Sequence, residues 1–168
     1  MLGADFSRET CMNLTPEFEA VSRPATHFVF LEARGPFAET AAPLWKALPP
    51  LLPGIEPPAI LEFLGLSGMD KEKSGDEAMI YQAGVSLTME PTGLPGAMKY
   101  RLVPAGRYAR FVLTGSYTQI GQAFDFAFKT LGEKQTALRP EFCVENYLND
   151  PRTTPEAELK TELLIPIA

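Results

Sequence analysis

Apolar positions recur along this chain in two rhythms, and the change from one to the other marks its elements. After His27, Val29, Leu31 and Ala33 fall on every second position, as do Ala109, Phe111 and Leu113 after Arg107, which is the spacing of one face of a β-strand. Phe37, Thr40, Leu44, Ala47, Leu48 and Leu51 then recur at helical spacing, matched by Tyr117, Ile120, Phe124, Ala127, Phe128 and Leu131. Gly35 and Gly115 end the strands. Pro36 suits a first helical position and Ser116 an N-cap, while Pro43 is tolerated only near the first turn or at a kink.

The rest of the chain completes the same pattern twice. A strand at 18–22, and again at 98–103, turns at Pro-Ala and returns as the strand just described, which predicts a hairpin with one apolar face. The prolines of 49–58 stop the first helix. Third strands are expected at 60–66 and 142–148, and fourth strands at 78–87 and 159–167. The charged stretches between them, 69–77 and 149–158, read as solvated loops. Residues 1–16 show no sustained period, apart from 11–14, which could pair as an extra edge strand.

Sliding the chain by 80 residues without a gap lays 18–87 on 98–167. Pro24 falls on Pro104, Ala25 on Ala105, Gly35 on Gly115, Ala47 on Ala127, Leu51 on Leu131 and Asp70 on Asp150. These identities lie at turn and face positions, where a shared backbone would require them. The expected fold is α+β: a tandem duplication of β-β-α-β-β units forming a mainly antiparallel eight-stranded sheet, with two helices on one face and a pseudo-twofold axis. One half alone buries too little to be robust. A single domain over 1–168 is expected, with halves at about 15–90 and 95–168.

Composition narrows the function. Fifteen Lys and Arg against 21 Asp and Glu give a net charge of -6, the wrong sign for a surface that neutralises phosphates, so no direct nucleic-acid partner is expected. The apolar runs are too short or too interrupted to span a membrane, and no secretory signal opens the chain, so the expected compartment is the cytoplasm. Cys11 and Cys143 are expected as free thiols. Nothing is spaced as a metal site, and His27, the one histidine, is assigned a structural place at a strand entrance.

The candidate chemistry lies in 140–150. Phe142, Val144 and Leu148 alternate with Cys143, Glu145 and Tyr147, so a carboxylate shares a strand face with a thiol and a phenol. The first half has Phe63, Gly65 and Ser67 at the matching places. That asymmetry leaves room on one side and an acid on the other, as a one-sided ligand site would need. On an exposed edge Glu145 would simply be solvated; buried, it needs a cation or hydrogen-bond donors, or its pKa rises. Aromatic faces would complete a cation site, and Phe37, Trp45, Tyr81, Tyr117, Phe124 and Tyr147 are the candidates. Phe37, Tyr117 and Phe124 also serve as core. Trp45 stands out as the single tryptophan, with Asp125 as its repeat partner.

The chain resembles the GyrI-like small-molecule-binding family, the effector-binding domain of bacterial transcription activators. The resemblance rests on Arg-Gly-Pro-Phe at 34–37, Pro-Ala-Gly-Arg-Tyr-Ala at 104–109, Gly-Ser-Tyr at 115–117, Val-Glu-Asn-Tyr-Leu-Asn-Asp-Pro at 144–151 and Leu-Ile-Pro-Ile at 164–167. It implies the duplicated fold, with an acid at the position of Glu145 on the floor of an aromatic cleft. It also implies a stand-alone member, since no DNA-binding segment is seen ahead of the fold. The leading expectation is binding of amphipathic, cationic or aromatic small molecules, for sequestration, sensing or toxin resistance, with ligand contacts from Glu145, Tyr147, Trp45, Tyr81, Phe37 and Tyr117. One alternative is a small hydrolase of cyclopropane-containing or other strained compounds, with Glu145 as general base or acid and Tyr147 positioning the electrophile. Another is a gyrase inhibitor with an unidentified protein partner. Gln82, where relatives would carry an acid, weakens any two-carboxylate mechanism. A distant relative of the fold binds haem, but with His27 the lone histidine no cofactor is expected.

Overall fold

The computed structural model describes residues 12–168; Cys11 and the start of the expected edge strand lie outside them. The strands are β1 (Asn13–Leu14), β2 (Glu19–Arg23), β3 (Thr26–Arg34), β4 (Ile60–Met69), β5 (Met79–Leu87), β6 (Lys99–Val103), β7 (Gly106–Thr114), β8 (Cys143–Tyr147) and β9 (Lys160–Ile167). The helices are α1 (Phe37–Ala47) and α2 (Ile120–Glu133). All strands join one antiparallel sheet in the order β1-β7-β9-β8-β4-β5-β3-β6, with β2 also on β7. Over the described residues the fold is thus α+β with nine strands, β1 being the extra edge strand.

An 80-residue shift carries β2 onto β6 and β3 onto β7, end for end, and it carries β4 onto β8 and β5 onto β9 within a few residues. The sheet order is unchanged when each strand is exchanged for its counterpart and the order reversed. Gly35 and Gly115 carry φ of 132° and 138°, which side chains rarely adopt. Each donates its N–H to the same place in its own half, Gly35 to Met79 O and Gly115 to Leu159 O. Shared turn glycines therefore mark a shared backbone.

The two expected hairpins do not form. β2 pairs with β7 and β6 with β3, so each half lends its first strand to the other. The links are the reason. Arg23 and Thr26 are separated only by Pro24 and Ala25, and a two-residue hairpin loop needs positive φ at its first or both positions. Proline holds φ near -65°, so the chain turns a corner and crosses to the opposite edge.

Apart from an irregularity between Ile60 and Glu62 in β4, the strands alternate between two faces. On one, α1 and its C-cap set Leu44, Trp45 and Leu48 against Val29, Leu31, Val85 and Leu87, and α2 sets Ala123, Ala127 and Leu131 against Phe111, Leu113, Leu163 and Ile165. Both helices cover this face. Pro43 lies in the middle of α1 rather than its first turn, and is tolerated because that side of the helix is exposed. Pro36 is the N-cap, one place earlier than expected, and Ser116 caps the short 3-10 turn that leads into α2, accepting from Thr118 N.

The other face encloses Phe28, Phe30, Leu64, Leu66, Tyr108, Val144 and Leu164. Arg23 on β2 ion-pairs with Glu62 on β4 at 2.9 Å, although four strand spacings, roughly 19 Å in a flat sheet, separate the two. The sheet therefore curls around this second core. Glu62 also accepts from Ser86 and Asn146, which keeps this half-buried charge satisfied.

Candidate functional site

The centre of the sheet is the contact between β4 and β8, where Gly65 and Glu145 are direct cross-strand partners. One row of paired residues runs across the helix-covered face: Leu31, Ala83, Gly65, Glu145, Leu163 and Phe111. Five of the six are apolar or glycine. Glu145 is 7% exposed, so the edge-strand reading is excluded and the carboxyl sits in the interior.

Two phenols meet it. Tyr147, two residues along β8, donates a short hydrogen bond to Glu145 Oε1, and Tyr81 on β5 reaches the same oxygen at 3.3 Å. Trp45 Nε1 donates to Tyr81 Oη at 2.9 Å, and the two tyrosine oxygens are 3.2 Å apart. The chain of donors thus runs from α1 through β5 to β8 and converges on Oε1. Among the described residues no group donates to Oε2, and none supplies a cation to the carboxylate.

Gly65 makes this convergence possible. A Cβ there would overlap Tyr81 Oη and stand 3.1 Å from its Cζ and 3.2 Å from Tyr147 Oη. The room that the sequence suggested for a ligand is occupied by the Tyr81 hydroxyl. Rings close the site from above: Trp45 packs edge-on to Tyr147 at 5.0 Å between centroids, Tyr117 packs on it at 5.1 Å, and Phe37 lies 6.3 Å from Tyr81. Each pair has the tilted geometry that aromatic quadrupoles favour. Phe124 instead joins Phe128 and the α2 core.

Burial pushes the Glu145 carboxyl from 4.5 up to about 7, while the bonds from Tyr147 and Tyr81 pull the other way. Burial, then the charge of Glu145, pushes the Cys143 thiol up to about 12 and raises both tyrosines, so the phenols remain donors.

Other expectations fall elsewhere. Gln82 lies on the opposite face, donating to Glu32 and accepting from Arg101, so no residue at that position could act with Glu145. His27 bonds Tyr100 through Nδ1 at 2.8 Å and stacks on it, in keeping with a structural place. The sequence reading missed the partly buried polar set of Arg23, Glu62, Asn146 and Glu162. Its signal was a single polar residue beside apolar ones on one strand face, Glu62 with Leu64 and Leu66, Asn146 with Val144 and Glu162 with Leu164.

A family model described as the GyrI-like small molecule binding domain matches residues 16–168. The chain belongs to the GyrI-like family. No curated protein matches the sequence. Among solved structures, the C-terminal domain of EcmrR is 15% identical, with a TM-score of 0.67 over 90% of this chain and 98% of that one. SAV2435, solved with bound tetraphenylphosphonium, is 14% identical with a TM-score of 0.67 over 90% and 94%. A hydrolase from Listeria innocua is 11% identical, with a TM-score of 0.55 over 98% of both chains. At these identities the likenesses establish that the GyrI-like fold is shared.

Proposed function

We propose that this GyrI-like domain binds amphipathic organic cations between its two helices, with Glu145 as the counter-charge. One observation carries the reading: among the described residues, a carboxyl at the centre of the sheet meets two phenols and no cation, beneath the rings of Trp45, Tyr147 and Tyr117. An uncompensated buried carboxylate is unfavourable by several kcal/mol, so a lipophilic cation that neutralises it gains electrostatically as well as by burying its own apolar area. Ring faces add roughly 0.5–2 kcal/mol for each desolvated cation contact. The ligand enters by displacing the rings of Trp45 and Tyr117 from Tyr147. That SAV2435 was solved with tetraphenylphosphonium supports testing this cation first.

Thermal shift and calorimetric titration with tetraphenylphosphonium test the proposal. Saturable stabilisation is expected, with at least tenfold weaker binding by Glu145→Gln at pH 8. Equal binding by parent and variant would remove Glu145 from the site, and no stabilisation by any lipophilic cation would overturn the reading.

A second reading, hydrolysis of a strained electrophile, is favoured by the carboxyl's position near neutrality, where a side chain can both take and return a proton. Glu145 would accept a proton from water as the water oxygen bonds to a ring carbon and the strained C–C bond breaks, and would return that proton to the carbon released. Turnover of an activated cyclopropane that vanishes in Glu145→Gln while binding persists would select this reading over simple binding.

A further inference from the structure

The two oxygens of Glu145 have opposite circumstances. Oε1 accepts from Tyr147 and Tyr81, and Oε2 has no donor among the described residues. A carbonyl oxygen of a neutral carboxylic acid accepts hydrogen bonds as a carboxylate oxygen does, so the phenol wiring to Oε1 is the same with or without a proton on Oε2. Neither phenol can take that proton, because both already donate theirs toward the carboxyl. The proton therefore resides on Oε2, the oxygen that meets no donor among the described residues.

We infer that this carboxyl serves two chemical classes of ligand: lipophilic cations, taken up as Oε2 releases its proton to solvent, and neutral aromatic hydrogen-bond acceptors, to which protonated Oε2 donates. The inference rests on the binding site proposed above and specifies what that site accepts. For the cation, the neutral carboxyl and the cation become a carboxylate paired with that cation plus one proton in solvent. For the neutral acceptor, the O–H bond stays intact and a hydrogen bond forms.

The surroundings leave Glu145 as the group that responds. Cys143 and Tyr147 share its face of β8, and Tyr81 comes from β5. β4 contributes Phe63, Gly65 and Ser67 to this face, and β9 contributes Thr161, Leu163 and Ile165, none of which titrates here. Trp45 comes from α1, and Tyr117, which feels the charge of Asp150, comes from the turn before α2. The charged residues of the helices, Glu39, Lys46, Asp125, Lys129 and Glu133, are exposed. Burial and the two phenols alone shift the Glu145 carboxyl, and they bring it to about 7, within the range where both forms are populated.

Calorimetric titration of the full chain with tetraphenylphosphonium and with triphenylphosphine oxide, at pH 6 and pH 8.5, tests this in buffers of different ionisation enthalpy. Cation binding at pH 6 is expected to release nearly one proton and to be about tenfold weaker than at pH 8.5. Phosphine oxide is expected to release none and to weaken as pH rises above 7. In Glu145→Gln, whose amide still donates, phosphine oxide binding should persist without pH dependence. If the cation binds with neither proton release nor pH dependence, the inference fails and the binding site stands. If neither probe binds, both fail.

Discussion

Gly65 and Glu145 face each other across the β4–β8 pair, and the 80-residue shift that relates the two halves carries one onto the other. A position at which the halves differ in both size and charge is therefore paired with its own counterpart at the centre of the sheet. A single carboxyl there is read against a bare backbone, which admits the Tyr81 hydroxyl to its side.

Gly65→Ala tests that closeness. In a strand, alanine is ordinarily favoured over glycine by about 0.5–1 kcal/mol. Here the added methyl collides with Tyr81 and Tyr147, so a net loss of about 1–3 kcal/mol is expected in urea unfolding. Tyr81→Phe in the same chain should recover part of it, as a double-mutant cycle would record. Recovery of nothing would mean that the clash lies elsewhere.

The pH dependence of stability follows from the burial of Glu145. Its carboxyl moves from 4.5 to about 7 on folding, so folding takes up a proton between those values. This group's contribution is at its most favourable below about 4.5, falls as pH rises to 7, and is level above. The full span is on the order of 3 kcal/mol. Glu145→Gln should remove that slope and exceed the parent in stability at pH 8, measured by denaturant unfolding from pH 5 to 8. Parallel profiles for the two proteins would contradict the assignment.

Tyr147→Phe removes the donor that holds the carboxylate down. The Glu145 titration, followed by carbon NMR of labelled glutamate, is expected to move above 7. A downward movement would show that the phenol does not act as the donor.

Trp45 is the single tryptophan and lies edge-on to Tyr147, with its N–H on Tyr81. A cation that reaches Glu145 must disturb this ring. Tetraphenylphosphonium should therefore produce a saturable change in tryptophan fluorescence at pH 8, with the same midpoint as calorimetry. Binding with unchanged emission would place the ligand away from α1.

The twofold arrangement was legible because it is written in local signals. Positive-φ glycines at 35 and 115, prolines at 24 and 104, and alternating apolar residues each act within a few positions of themselves. Strand exchange was not legible. Pro24-Ala25 rules out a tight hairpin, but the alternative partner lies some 85 residues away, and no local rule names it.

Glu145, Tyr147, Trp45, Tyr81, Phe37 and Tyr117 could be singled out from chemistry and from the disagreement between halves. By itself the chain determined the alternation that puts Cys143, Glu145 and Tyr147 on one face, since strand geometry leaves no other choice. Only the tertiary structure decided that β8 is central rather than an edge, that Tyr81 fills the space beside Gly65, and that Oε1 takes both phenol hydrogen bonds while Oε2 meets no donor among the described residues. These depend on strand order and on side chains arriving from distant segments. Burial, which raises the Glu145 carboxyl toward neutrality, is a property of the assembled sheet and of no single stretch of sequence.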